Sequence, residues 1–521
     1  MTASTDCQVT LGLDCPRLPP PPSISRSSSN VSSTISSKEG CTKCNFTVRV
    51  VTNTRHKHLS QVLAALAVSL GPLAAGLGKG YSSPAIASLQ EIQENRANEL
   101  ARRSKNVASI ANLTSFHDGF PVSAQQASWV ASLSLLGALF GGAMAGVALR
   151  YGRRHILLLC ALPFSASWLL TVFATSVEMM FATAFAGGYC CALVLLVTQV
   201  YVSEIASPEV RGALSALLKV ANHLGVLISF VLGAYLNWRQ LACVLAAAPL
   251  MLLGAAAWLP ESPSWLLVRG REHEAAQALQ WLRGPGADTS AELATLRATV
   301  LQCPSSPPRL RLRRRMCRPV ILTCALMFFQ RCTGAHAFNF YAVPILRQTL
   351  GSGVNAHAGA IVVGVVQLLA ALASGLLIDR VGRVPLLAAS LALMAASLAG
   401  FGSAASHGAA SAWLQLACVL LFTVAFSLGI APIPWLLLAE LFPLEDRAAG
   451  AAIGTGFSYM CAFVGVKTFV DFQQWLGIGG AFWLYAAIST AGLFFVLAFV
   501  PETKGRDLEL ASAAIDEDRN A

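Results

Sequence analysis

The chain has 521 residues, of which 55% are hydrophobic and only 12% charged, with a mean hydropathy of +0.59. A soluble globular domain carries about a quarter charged residues, so the composition excludes one as the bulk of the chain. The net charge of +11 gathers in short loops and the first tail without interleaved aromatics, which excludes a nucleic-acid footprint.

Residues 1–57 are rich in Ser, Pro and Thr, lack periodicity, and read as a disordered tail too polar for a signal peptide. Cys41 and Cys44 have a metal-like spacing, but no second ligand pair follows, so no metal or other cofactor is expected. Twelve apolar runs come next, at about 59–82, 125–149, 154–175, 178–201, 213–236, 240–260, 319–345, 355–378, 384–404, 411–439, 448–471 and 477–500. Each is near the 20 residues that cross the hydrocarbon core. Lipid offers no partner to an unpaired backbone N–H, so each run is read as a helix. The expected fold class is therefore all-α, a polytopic membrane protein with twelve transmembrane helices.

Two long breaks interrupt the runs. The first, about 87–124, holds Asn112-Leu-Thr114, a glycosylation acceptor if that loop is extracellular. The second, about 261–318, ends in a basic run from Arg309 to Arg315 and is expected to carry short amphipathic helices over 272–284 and 290–301. Arg150, Arg153 and Arg154 after span 2, Arg380 and Arg383 after span 8, and the basic run all fall on one side if the chain crosses twelve times. That side is expected to be the cytosol, with both termini there, Asn112 outside, and the plasma membrane as the location. The expected organisation is a tail over 1–57, a six-helix bundle over 58–260, a cytosolic linker over 261–318, a second bundle over 319–505 and a tail over 506–521.

A charged turn recurs. The loop after span 2 reads Leu149-Arg150-Tyr151-Gly152-Arg153-Arg154, and the loop after span 8 reads Asp379-Arg380-Val381-Gly382-Arg383. Recurrence at the same place in a six-span unit means parallel halves related by an axis along the membrane normal. Gly lets the turn close while the Arg residues reach carboxylates or helix C-termini nearby.

At these turns the chain resembles the major facilitator superfamily, and further motifs narrow the resemblance to the sugar porters. Span 4 exits through Glu204-Ile-Ala-Ser-Pro208-Glu-Val-Arg211-Gly212, and span 6 through Pro260-Glu261-Ser262-Pro263. Span 10 carries Pro432-Ile-Pro434-Trp435, then Glu440 and Arg447, and span 12 exits through Pro501-Glu502-Thr503-Lys504-Gly505. Gly80 to Ala85 and Cys461 to Phe469 are similar to the insect trehalose-transporter branch and its facilitative hexose relatives. The resemblance implies halves that rock around a midplane site. It also implies cytosolic pairs between Glu and Arg of the two halves that hold the outward-facing state, a network built here from Arg153, Glu204, Arg211, Glu261, Asp379, Arg383, Glu440, Arg447 and Glu502.

The solute path departs from that pattern. The family's span 7 reads Gln-Gln-x-Ser-Gly-x-Asn, and this chain has Gln330-Arg331-Cys332-Thr333-Gly334-Ala335-His336. Lys219 stands where the hexose transporters have a sugar-contacting Gln, and Ser458-Tyr459 replaces an Asn-Trp pair. Gln330, Gln367, Tyr341 and Trp435 are retained. The expected solute-binding set is thus Lys219, Gln330, Arg331, His336, Tyr341, Gln367 and Trp435. Lys79 adds a cation on span 1, and Lys219, Asn222 and His223 share one helical face. Arg331 and His336 are five apart, about 140° round an ideal helix, which leaves a shared face open.

Three readings follow. One is facilitated diffusion of a neutral sugar, a hexose or a disaccharide such as trehalose. The second is an anionic solute such as a sugar acid in a cationic cavity. The third is a sugar sensor that moves little. Leu66 to Ser83 carries no carboxylate, which disfavours proton symport by that route. No nucleotide loop, metal constellation or nucleophile–base set is found, so no enzyme is expected, and the partners are a small solute and the lipid bilayer.

Overall fold

The computed structural model describes residues 58–105, 122–284, 287–302, 317–350, 355–406, 412–442 and 447–502. The tails, Cys41, Cys44, Asn112 and the run from Arg309 lie outside the described residues. So do the side chains of Asp379 and Arg447.

The described chain is helical. In order come α1 (Leu59–Lys105), α2 (Ala124–Ala148), α3 (Arg153–Val172), α4 (Val177–Ile205), α5 (Arg211–Gly233), α6 (Trp238–Leu245) and α7 (Ala247–Ala257). Three short helices follow, α8 (Pro263–Val268), α9 (Glu272–Arg283) and α10 (Ser290–Gln302). The second half contains α11 (Cys317–Cys332), α12 (Ala335–Leu350), α13 (Ala356–Val381), α14 (Arg383–Ser406), α15 (Ala412–Leu428), α16 (Ile433–Glu440) and α17 (Arg447–Phe499).

Ten stretches among the described residues are long and apolar enough to cross a membrane. Two further crossings come from breaks. In α17, Gly477 adopts φ +70°, and the Phe469 and Tyr485 rings on either side of it stack 6.5 Å apart. A continuous helix would hold those rings about 24 Å apart, so the chain reverses at Gly477 and α17 crosses twice. α11 and α12 are each too short to span alone and together make one crossing. Leu159 and Phe494 are among the most exposed apolar side chains, which suits contact with lipid.

One expectation failed. The first helix does not end near residue 82 but runs on to Lys105. Residues 87–105 are rich in Ala, Leu, Gln, Glu and Arg with no Gly or Pro, and such residues extend a helix readily.

Backbone contact at small residues sets the packing. A Cβ built on Gly188 of α4 would lie 1.9 Å from Ser134 O of α2, and one on Gly137 would lie 2.1 Å from Phe185 O. Gly76 of α1 meets Asn222 O of α5 in the same way, at 2.0 Å. With lipid as apolar as the side chains, such close approach is what holds membrane helices together.

The two charged turns fold alike. Gly152 and Gly382 take φ +107° and +111°, in the region that favours glycine. Each reverses the chain so that a carboxylate reaches the first N–H groups of the next helix. Glu261 accepts from Arg153 N and Arg154 N at 2.8 and 3.0 Å. Glu502 accepts from Arg383 N and Val384 N at 3.1 and 2.9 Å. These anions answer the positive ends of α3 and α14. The end of the bundle that carries these turns is the charged end.

Candidate functional site: a central cavity between the halves

The cavity floor depends on two broken helices. Span 10 breaks at Pro432 and Pro434, which lack the N–H groups that would bond Leu428 O and Ile430 O. Side chains replace them. Gln330 Nε2 donates to Ile430 O at 2.9 Å and to Ala431 O at 2.8 Å, and Ser374 Oγ donates to Leu428 O at 3.5 Å. The Gln330 amide nitrogen is therefore committed to the break, while its buried Oε1 has no partner.

Span 7 breaks between α11 and α12 at Gly334, φ +86°, where the Tyr485 ring packs 2.6 Å from the position of a Cβ. The ideal-helix angle between Arg331 and His336 does not apply across this break. Their side chains meet, with an Arg331 N–H directed at His336 Nε2. Arg331 Nε also donates to Ser458 Oγ at 2.8 Å. Its guanidinium lies 5.7 Å from the Trp435 ring and 6.0 Å from Tyr459.

A cavity of about 780 Å³ lies between the two groups of helices. Lys219, Gln330, Arg331, His336, Gln367 and Trp435 line it, together with Lys79, Asn222 and His223. Lys219, Asn222 and His223 thus share the cavity wall. Tyr341 sits elsewhere: its ring stacks 5.1 Å from Phe469 and it is not among the lining residues.

Asn222 holds two helices at the site. Its Nδ2 donates to Pro72 O at 3.0 Å, and its Oδ1 accepts from Lys79 Nζ at 3.2 Å. The helical spacing puts Asn222 on the cavity face but carries no sign of this cross-helix bond, because nothing in α5 alone names α1 as its neighbour.

The cavity lining runs from Gly212, Gly375 and Ile378 near the charged end to Leu89, Val130 and Met180 near the other. At the opposite end several polar contacts join the halves. Val343 N donates to Ser83 Oγ at 2.8 Å, and Lys467 Nζ to Gln125 Oε1 at 2.9 Å. Gln125 also bonds Asp471, and Arg347 lies 3.9 Å from Glu91.

Two ion pairs of the charged end lie one within each half. Arg153 pairs with Glu204 at 2.6 Å, and Arg383 with Glu440 at 3.1 Å. All four side chains are largely shielded. Arg153 also donates to Leu149 O, and Arg154 to Ala257 O, so the Arg residues reach helix C-termini as well as carboxylates. Arg211 donates to Ala206 O at 3.3 Å.

The profile of the family described as "Sugar (and other) transporter" matches residues 66–514. The facilitated trehalose transporter of Drosophila pseudoobscura pseudoobscura is 39% identical over 461 residues, which cover 86% of this chain and 50% of that one. The chain thus spans about half the length of several curated relatives that it matches. The facilitated trehalose transporter of Culex quinquefasciatus is 36% identical over 497 residues, 93% of this chain and 89% of that one. Among solved structures, the xylose transporter from E. coli in an inward open conformation superposes with a TM-score of 0.71 at 22% identity, over 86% of this chain and 98% of that one. This last likeness concerns the fold.

Proposed function

Because the chain belongs to the sugar (and other) transporter family, we propose that it is a facilitative sugar transporter working by alternating access. The solute is a hexose or a disaccharide such as trehalose, the substrate named for its insect relatives. The observation that carries this reading is the cavity between the halves, lined from both of them, with polar contacts tying the halves at the end opposite the charged turns. Its volume of about 780 Å³ lies within the roughly 300–1,000 Å³ of small-molecule sites. The amides of Gln367, Asn222 and Asn339 in its wall offer both donors and acceptors to hydroxyl groups. No Asp or Glu is among the described lining residues, which supports diffusion without a proton-carrying carboxylate.

The same reading sets the charged end toward the cytosol, both termini with it, in the plasma membrane. Residues 58–260 and 319–505 are the two moving bodies, and 261–318 is the linker that lies on the cytosolic face. Arg153–Glu204 and Arg383–Glu440 keep the helix ends of each body together, with Arg211, Asp379 and Arg447 at the same end. Tyr341 acts behind the wall, and Asn112 carries a glycan in an external loop.

Uptake by purified protein in liposomes tests the function. Labelled trehalose or glucose is expected to enter saturably to its equilibrium level, with the same endpoint whether or not an inward proton gradient is imposed. Accumulation above equilibrium with the gradient would overturn the facilitative mode, and no flux of either sugar would overturn transport of these sugars.

A further inference from the structure

Three cations reach the central cavity, Lys79, Lys219 and Arg331, and no carboxylate is among the described residues that line it. A cation at membrane depth is costly unless it faces water or opposite charge. The cluster around Arg331 is also short of acceptors. A guanidinium has only donors, and one of them is directed at His336 Nε2, which leaves Nδ1 as the other ring nitrogen. That Nδ1 is buried and has no partner. Arg331 spends one N–H on Ser458 and one on His336, which leaves others unspent. Lys79, on the opposite half, spends one proton on Asn222. Lys79 and Arg331 line the same cavity from opposite halves, with His336 beside Arg331, and like charges there repel. The wall is thus a set of convergent donors from both halves, two of them charged, with mutual repulsion opposing closure.

We propose that Lys79, Arg331 and His336 form an anion subsite, which takes a small inorganic anion or a free carboxylate bound beside the neutral solute. An anion there accepts from both halves at once and cancels the repulsion between them, so its binding favours closure around the solute. Lys219 on the same wall adds to the attraction that draws an anion in. The inference rests on the cavity being the transport path.

The test follows thermal unfolding of the full chain in detergent, in HEPES buffer at constant ionic strength, with chloride or glucuronate replacing the buffer anion. A ligand bound only by the folded state raises the midpoint saturably. A rise of several degrees is expected with chloride or with glucuronate. It is lost in Lys79→Gln and Arg331→Gln and kept in Lys467→Gln, which removes a cation outside the cavity. A rise with chloride identifies a small inorganic ion, and a rise with glucuronate alone assigns the subsite to a carboxylate. If Arg331→Gln does not fold, Lys79→Gln decides, and Arg331→Lys, which keeps the charge, is expected to keep the shift. No rise with either anion, or the same rise in the parent and both cavity variants, overturns the subsite. Trehalose and glucose uptake by the same preparation separates the two claims. Flux without an anion shift sinks only the subsite, and a shift without flux of either sugar sinks only the transport reading.

Discussion

Glu261→Ala is expected to lower the stability of the detergent-solubilised protein by about 3–5 kcal/mol, the range for removing one partner of a buried charged network. The Glu261 carboxylate is 8% exposed. It accepts from the backbone N–H of Arg153, Arg154 and Ser262 at 2.8–3.0 Å, and lies 3.0 Å from His155 Nδ1. Removing it orphans the first N–H groups of α3 in a place that water scarcely reaches, and each such group costs about 1–3 kcal/mol. Gln at 261 keeps one accepting oxygen but loses the charge, so about half that loss is expected. Glu274→Ala is the control, because its pair with Arg271 is nearly half exposed on both sides and such pairs contribute about 1 kcal/mol or less. Equal midpoints for Glu261→Ala and Glu274→Ala would show that Glu261 does not hold the turn.

Gly188→Ala should be nearly as damaging although it adds a single methyl. That methyl would sit 1.9 Å from Ser134 O and 2.7 Å from Ser134 Cα. Both neighbours are backbone, so no side chain can swing aside, and α2 and α4 must separate by more than about 1 Å to restore ordinary contact. Overpacking of this kind costs about 1–3 kcal/mol and occasionally more, and Gly137 and Gly141 on α2 close the same seam. Gly146→Ala, on α2 with nothing within 4 Å of its added Cβ, should be neutral or stabilise by up to about 1 kcal/mol through helix propensity. Thermal midpoints and gel-filtration profiles of the two variants read the difference. A Gly188→Ala protein as stable as Gly146→Ala would mean that the helices are not held this closely.

The twelve crossings and the repeated turn were legible because they rest on local chemistry. Apolar length marks a span, and a Gly beside Arg marks a turn that only glycine's backbone freedom allows. The break at Pro432 and Pro434 has the same kind of local sign, since a missing N–H is written in the residue itself. What serves the break has none, because Gln330 and Ser374 lie on other helices and only tertiary packing selects them. The meeting of Arg331 and His336 was hidden by treating span 7 as one ideal helix, although Gly334 between them was the signal that it is not. The glycine seam between α2 and α4 had a local sign in Gly137 and Gly141, four apart on α2. Its partner Gly188 could not be paired with them without the fold. Apolarity gives no sign of the extension of α1 to Lys105, because a polar run of strong helix formers continues a helix without it.

Locking the end opposite the charged turns tests most directly the claim that solute passes through the cavity by alternating access. Val343 N donates to Ser83 Oγ across the halves at 2.8 Å, which holds the two Cα atoms within the roughly 4.4–6.8 Å that a disulfide spans. The protein carrying Ser83→Cys and Val343→Cys is oxidised in liposomes, and trehalose uptake is measured before and after reduction, beside the parent treated alike. The predicted result is loss of uptake on oxidation and recovery on reduction in the double variant alone. Undiminished uptake by fully cross-linked protein would contradict the account.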